Sequence, residues 1–156
     1  MRHKRIVPAA PPPIASYARL IAEHALIAEH ADRLTSALGQ HDARAMRGAL
    51  DALTELLLAH LEHEDCDIHP RLMTSRDSGT AAAARATQLR YERLAEDWLA
   101  LIGDWTESRI ADAPSDFAEA ATVLIDRLRA RIDEEDELLY PAALASGQLA
   151  LREPTG

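Results

Sequence analysis

Glycine is scarce, with six in 156 residues, and aromatic side chains supply only 4% of the chain. No segment alternates apolar and polar residues with the period of a strand, so a sheet has nothing to build on. One cysteine, Cys66, excludes an internal disulfide framework and a cysteine-based zinc finger. No run approaches the roughly 18 apolar residues of a membrane span. Positive charge is also short. Lys and Arg number 17 against 26 Asp and Glu, a formal charge of −9. That balance argues against a nucleic-acid partner, which needs a basic face to displace counterions from phosphates, and against docking on an anionic membrane. The N-terminal MRHKRIVPAAPPP puts prolines where a signal peptide needs its apolar stretch. The expectation is a soluble, cytoplasmic protein.

Present in abundance are Ala, Leu, Arg and Glu, side chains that lose little rotamer freedom on a helix. After an extended leader over residues 1–13, four apolar-periodic segments follow. The first covers residues 14–38 and stops at Gly39, and the second covers about 42–70, with Asp42 as its cap. Residues 74–79 (TSRDSG) read as a loop. The third segment covers about 80–108. Residues 113–116 (APSD) then break the pattern, with Ser115 or Asp116 as N-cap and Asp116 and Glu119 as a capping-box-like pair. The fourth runs to about 146, where Gly147 ends it. The tail, residues 147–156, reads as frayed. Short connections between long helices predict an all-α, antiparallel up-down-up-down four-helix bundle over residues 14–146. A weak repeat runs through it: His60-x3-Glu64 precedes Pro70 as Arg131-x3-Glu135 precedes Pro141.

Counting at roughly 100° per residue sorts side chains into apolar and wet faces. The second segment's stripe holds Leu50, Leu53, Leu57 and Ile68, and His60 and Glu64 fall inside it. The fourth segment's stripe holds Phe117, Leu124, Leu128 and Leu139, and Arg131 and Glu135 fall inside it. In the first, His24 sits near the middle of the stripe and His30 nearer its edge. The third turns Tyr91, Leu94, Trp98 and Trp105 inward and holds no histidine. An unpaired buried carboxylate costs several kcal/mol, so Glu64 and Glu135 need partners. A metal ion, Arg131 or the neighbouring imidazoles would serve. Two imidazoles and two carboxylates converging inside a helical bundle are a donor set for iron, zinc or manganese.

On these residues the chain resembles the hemerythrin-like family, the HHE cation-binding domain. His24, the His60-x3-Glu64 motif with Pro70, and Glu135 with Leu138, Leu139, Tyr140 and Pro141 carry the resemblance, which spans about residues 14–144. The family holds a pair of irons between histidines and two bridging carboxylates. The resemblance implies that His24, His60, Glu64 and Glu135 serve the first iron. The second iron's histidines are missing: their places fall to Tyr91 and Arg131, and a guanidinium cannot ligate a metal. The resemblance therefore implies about one metal site and no reversible oxygen carriage. Arg131 would stand in for the absent cation, Tyr91 would hydrogen-bond one of the carboxylates, and His63 would lie just outside the ligands.

Other residues read more plainly. His69 occupies the aromatic slot before Pro70, as Tyr140 does before Pro141, and is taken as packing. The acidic run over residues 133–137 is taken as a solvated face apart from Glu135. Three functions compete. The first is a metal-binding sensor or iron-handling protein, with a small diatomic molecule as its ligand. The second is a metal-free interaction module meeting a protein partner or a second copy of itself, with Arg131 compensating the buried carboxylates. The third is a one-iron oxidase or peroxidase, disfavoured because no acid/base pair stands apart from the ligands.

Overall fold

The computed structural model describes residues 15–153, so the leader over residues 1–13 lies outside the described residues. Helices account for nearly all regular structure in this range. They are α1 (Tyr17–Leu38), α2 (Ala43–His63), α3 (His69–Met73), α4 (Ser78–Tyr91), α5 (Leu94–Asp104), α6 (Glu107–Asp112), α7 (Pro114–Glu134) and α8 (Tyr140–Ala145). Among the described residues the only β pairing is an isolated bridge between Ser16 and Ala150.

Side-chain caps set most helix starts. Ser16, Asp42, Asp77 and Thr106 each accept a bond from a backbone N–H of the turn they open, namely those of Arg19, Ala45, Thr80 and Arg109. The start of α7 departs from expectation. Ala113 is its N-cap and Pro114 its first residue, rather than Ser115 or Asp116 capping. Proline fits there because its fixed φ suits the helix and its missing N–H would have had no partner.

The third apolar segment also departs from expectation, since it is three helices rather than one. It breaks at Glu92–Arg93 and again at Trp105–Thr106. No glycine or proline marks either break, and Tyr91, Leu94 and Trp98 all stay buried across the first. The apolar pattern therefore runs on through an interruption that it does not reveal.

α2 and α7 share an irregularity. Each passes into a single π-helical turn, over Glu64–Ile68 and Glu135–Leu139, before the short helix that carries its proline. The N–H of His69 bonds the Glu64 carbonyl and that of Tyr140 bonds the Glu135 carbonyl, five residues back in both. Pro70 and Pro141 explain the widening. A proline ring clashes with the carbonyl four residues earlier in an α-helix, and a wider turn moves that carbonyl aside.

α1 packs along α2 and α7, while α5 and α6 close on α2 and α7 from another side; α4 packs on α3, on α7 and on the second π turn. Two apolar clusters result. The larger is built on Ile27, Leu34, Leu50, Leu57, Trp98, Phe117 and Leu128. The smaller gathers Leu20, Ile68, Leu72, Ala84, Leu139, Tyr140 and Leu149. The polar residues lie between them along the chain: His24 between Leu20 and Ile27, Glu64 between Leu61 and Ile68, Arg131 and Glu135 between Leu128 and Leu139. The tail is not frayed where it is described. Leu149 is only 2% exposed, and Ala150 and Leu151 accept backbone bonds from Tyr17 and Ala18 at 2.7 and 3.1 Å. Gly147 makes the turn that leads there, with φ at +79°.

Candidate metal centre

α1 supplies His24, α2 supplies His60, and Glu64 opens the first π turn, all three buried. The Nε2 atoms of the two imidazoles are 2.8 Å apart, and Glu64 Oε1 lies 3.2 Å from the first and 2.9 Å from the second. The rings meet edge to face with centroids 4.7 Å apart. Behind each ring stands a further carboxylate. Nδ1 of His24 is 2.6 Å from Asp136 Oδ1, and Nδ1 of His60 is 2.9 Å from Glu23 Oε2.

This wiring fixes what the Nε2 atoms present. A neutral imidazole that donates through Nδ1 turns a lone pair outward at Nε2. Two such lone pairs and a carboxylate oxygen then face one small region, and only a proton or a metal cation relieves their repulsion. Carboxylates behind the outer ring nitrogens are the usual support of metal-ligating histidines. The donor set of two nitrogens and one oxygen suits iron, zinc or manganese. The residues therefore fit the ion.

Without a metal a proton takes that role. Burial disfavours charge on His24, but its hydrogen bonds to Asp136 and Glu64 outweigh this and push its pKa up to about 10. His60 moves upward for the same kind of reason, burial being outweighed by Glu64.

Glu135 joins a second group rather than the first. The ligand atoms of His24, His60 and Glu64 all lie within 4.8 Å of one another, and so do those of Glu64, His69 and Glu135. Glu64 belongs to both. Arg131 takes the outer oxygens of the carboxylate pair: its Nε donates to Glu135 Oε1 at 2.6 Å and its Nη2 to Glu64 Oε2 at 2.9 Å. It also reaches Asp65 at 2.8 Å. Tyr140 meets the inner oxygens, its hydroxyl lying within hydrogen-bond distance of Glu64 Oε1 and, at 2.6 Å, of Glu135 Oε2, so that its single proton serves one of them at a time. Its ring stacks on His24 at 5.5 Å.

The two carboxylates differ in their titration. Burial raises both, but hydrogen bonds with Glu135 and then with the two imidazoles hold Glu64 well below its ordinary range, while the Glu64 charge pushes Glu135 above its own. Burial and the two neighbouring carboxylates lift the Tyr140 phenol as well, so it stays a donor.

Two expected neighbours stand elsewhere. Tyr91 does not reach the inner carboxylates: burial and the nearby Glu134 carboxylate raise its pKa, because it faces Glu134 and Arg90. The tyrosine that bonds Glu64 and Glu135 is Tyr140. His63 is 36% exposed and pairs with Asp67 at 3.2 Å. It lines, with Arg19, Glu23, Leu26 and Glu55, a groove of about 470 Å³ that ends on His60. His30 is half-buried, and His24 is the first-helix imidazole in the cluster.

The hemerythrin HHE cation binding domain model matches residues 15–143, which takes in every residue of the cluster. The chain belongs to the hemerythrin HHE cation-binding family. No curated protein and no solved structure gave a match. The pairing of Arg131 with both inner carboxylates gives this hemerythrin domain a fixed positive charge beside its buried acids.

Sequence reasoning missed four participants: Glu23, Asp136, His69 and Tyr140. Glu23 is partly signalled, since it precedes His24 and stands one turn from the His60 face. For His69 and Tyr140 the signal was hidden by the π turns. In an α-helix a residue five positions on lies about 140° around the axis. A π turn closes between residues five apart, which returns His69 to the face of Glu64 and Tyr140 to that of Glu135.

Proposed function

We propose that this hemerythrin-like domain keeps one of the family's two ion positions, at His24, His60 and Glu64 with Glu135 beside it. In this reading it works as a sensor or an iron-handling protein rather than as an oxygen carrier. The observation that carries the reading is the convergence of two Nε2 atoms and a carboxylate oxygen, each imidazole held from behind by its own carboxylate. Iron is the ion the family favours, with zinc or manganese accepted by the same donors. The ligand sensed would be a small diatomic molecule, and the output would pass to a protein partner or a second copy of the chain. The long helices are read as an antiparallel four-helix arrangement that holds the donors at fixed spacing.

Elemental analysis of untagged protein, reconstituted anaerobically with Fe(II), Zn(II) or Mn(II) and then dialysed, tests this directly. One ion per chain at this position is expected, absent from the double variant His60→Ala with Glu64→Ala. Protein that retains no ion under any of these conditions would overturn the reading.

A metal-free interaction module remains the competing account, and one observation favours it. Arg131 hydrogen-bonds Glu64, Glu135 and Asp65 and so supplies part of their counter-charge from the chain itself. Under that account the double variant leaves partner binding intact, whereas substitutions on the acidic surface reduce it.

A further inference from the structure

The donors at the centre are enclosed, so an ion needs a way in. His24 is 2% exposed and Glu64 0%, while His60, at 7%, comes nearest the surface. Three half-buried carboxylates stand between the centre and solvent: Glu23, Asp65 and Asp136. Asp65 is held by the Arg131 guanidinium, whose charge repels a cation arriving on that side. Asp136 sits behind His24 on the second π turn. Of the three, Glu23 lines the groove between α1 and α2 that ends on His60. Its oxygens are divided. Oε2 lies 2.9 Å from His60 Nδ1, and Oε1 accepts from Arg19 Nε at 3.1 Å. Arg19 is well exposed, so one carboxylate links a ligand ring to the solvent edge.

We infer that this groove is the path by which a divalent cation enters and leaves the centre, with Glu23 receiving it at the inner end. The inference rests on the preceding reading, since a path needs a site to serve. On the α2 side Glu55, Ala59 and His63 follow at one-turn intervals, so a carboxylate and an imidazole flank a small side chain that leaves room between them. On the α1 side stand Arg19 and Glu23, also a turn apart, with Leu26 beyond them. Volume is not limiting. Six waters around an ion fill about 180 Å³ at roughly 30 Å³ each, against about 470 Å³ in the groove. Oxygen and nitrogen donors along the way let the ion exchange its waters in steps. The rim charge agrees in sign, with Glu23 and Glu55 against Arg19. Arg19 is the competitor: an arriving cation takes Glu23 Oε1 from it. Release of Nδ1 by Glu23 then frees the His60 ring to turn, which opens the way past it to Glu64.

Rates test the path apart from the site. Uptake of Zn(II) by the metal-free full chain is followed in a stopped-flow instrument with a fluorescent indicator of free Zn(II), and release by transfer to excess chelator. An obstruction in a path slows entry and exit by one factor and leaves the equilibrium affinity unchanged. Leu26→Trp, at a half-exposed wall position that tolerates bulk, is expected to slow both rates severalfold at constant Kd. Glu55→Lys is expected to slow entry by about tenfold at low salt, an effect that shrinks as salt is added. Glu119→Lys makes the same change of net charge on the exposed face of α7 and is expected to slow entry far less. Arg19→Gln is expected to speed it. Wild-type rates in both Leu26→Trp and Glu55→Lys, with Zn(II) still bound at equilibrium, overturn the path and leave the site standing. Equal slowing by Glu55→Lys and Glu119→Lys overturns it too, because overall charge then accounts for the effect. A Leu26→Trp protein that loses affinity at unchanged entry rate places Leu26 with the site and counts against the path. A wild type that binds none of Zn(II), Mn(II) or Fe(II) overturns the preceding reading and this one together.

Discussion

At the residue scale, the outer carboxylates carry a quantitative expectation. Asp136 and Glu23 hold the Nδ1 atoms of His24 and His60 and so decide which way the lone pairs point. Asp136→Asn and Glu23→Gln keep the shape of each side chain but remove its charge. Each is expected to weaken metal binding by about 10- to 100-fold, measured by competition with a chelator of known affinity. Unchanged affinity in both would show that the imidazoles are not oriented from behind. Arg131 gives an expectation of the opposite kind. Replacing it by Met leaves Glu64 and Glu135 buried without their cation, at a cost of about 3–5 kcal/mol in the metal-free protein. Adding the ion should recover part of that loss, seen as a larger metal-induced rise in melting temperature than the wild type shows. His24, His60, Glu64, Arg131 and Glu135 were all legible as inward-facing polar residues because each sits in an unbroken α-helical count. His69 and Tyr140 were not, because the count changes between them and the residues they face.

At the scale of elements, the repeat read from the sequence corresponds to two copies of one local structure. A polar residue and a carboxylate four apart lead into a π turn, then an aromatic residue and a proline. The prolines were visible, but their effect on the turn before them was not: a proline in a helical pattern signals a boundary as readily as a widened turn. The opening of α4 offers a cleaner test of local structure. Asp77 accepts bonds from both the N–H and the hydroxyl of Thr80, each at 2.8 Å. The Thr80 backbone bond, more than the hydroxyl, pulls its pKa below the ordinary 3.8. A depressed carboxyl stabilises the fold at pH above its unfolded value and loses that contribution as pH falls through the lower folded value. Asp77→Ala should therefore melt at a lower temperature than the wild type at pH 6, with the gap closing as the pH falls below the ordinary 3.8 and through the lowered folded value. A gap that stayed constant through the acid range would assign the cap to something other than the ionised carboxylate.

At the scale of the whole molecule, the cluster sits where two apolar bodies meet, and residues 15–20 and 149–151 close the smaller of them. That arrangement was hidden from the sequence, since a tail of mixed composition after a glycine gives no periodicity from which to infer burial. Leu149 fills the smaller cluster beside Leu20, Tyr140 and Ala143, while Ala150 and Leu151 accept the otherwise unpaired N–H groups of Tyr17 and Ala18 in the first turn of α1. Leu20 lies one turn before His24, and Tyr140 stacks on His24, so the packing that Leu149 completes also holds the first-helix imidazole. Leu149→Ala is expected to cost about 2–5 kcal/mol in chemical unfolding, the range for a buried leucine, and removal of residues 149–156 should cost more. The truncated chain should also show faster hydrogen exchange at the Tyr17 and Ala18 amides, and a weaker hold on any ion bound through His24. A truncation that exposes those amides yet leaves ion affinity unchanged would separate the tail from the site. A loss of both together would make the smaller cluster the support on which the metal centre depends.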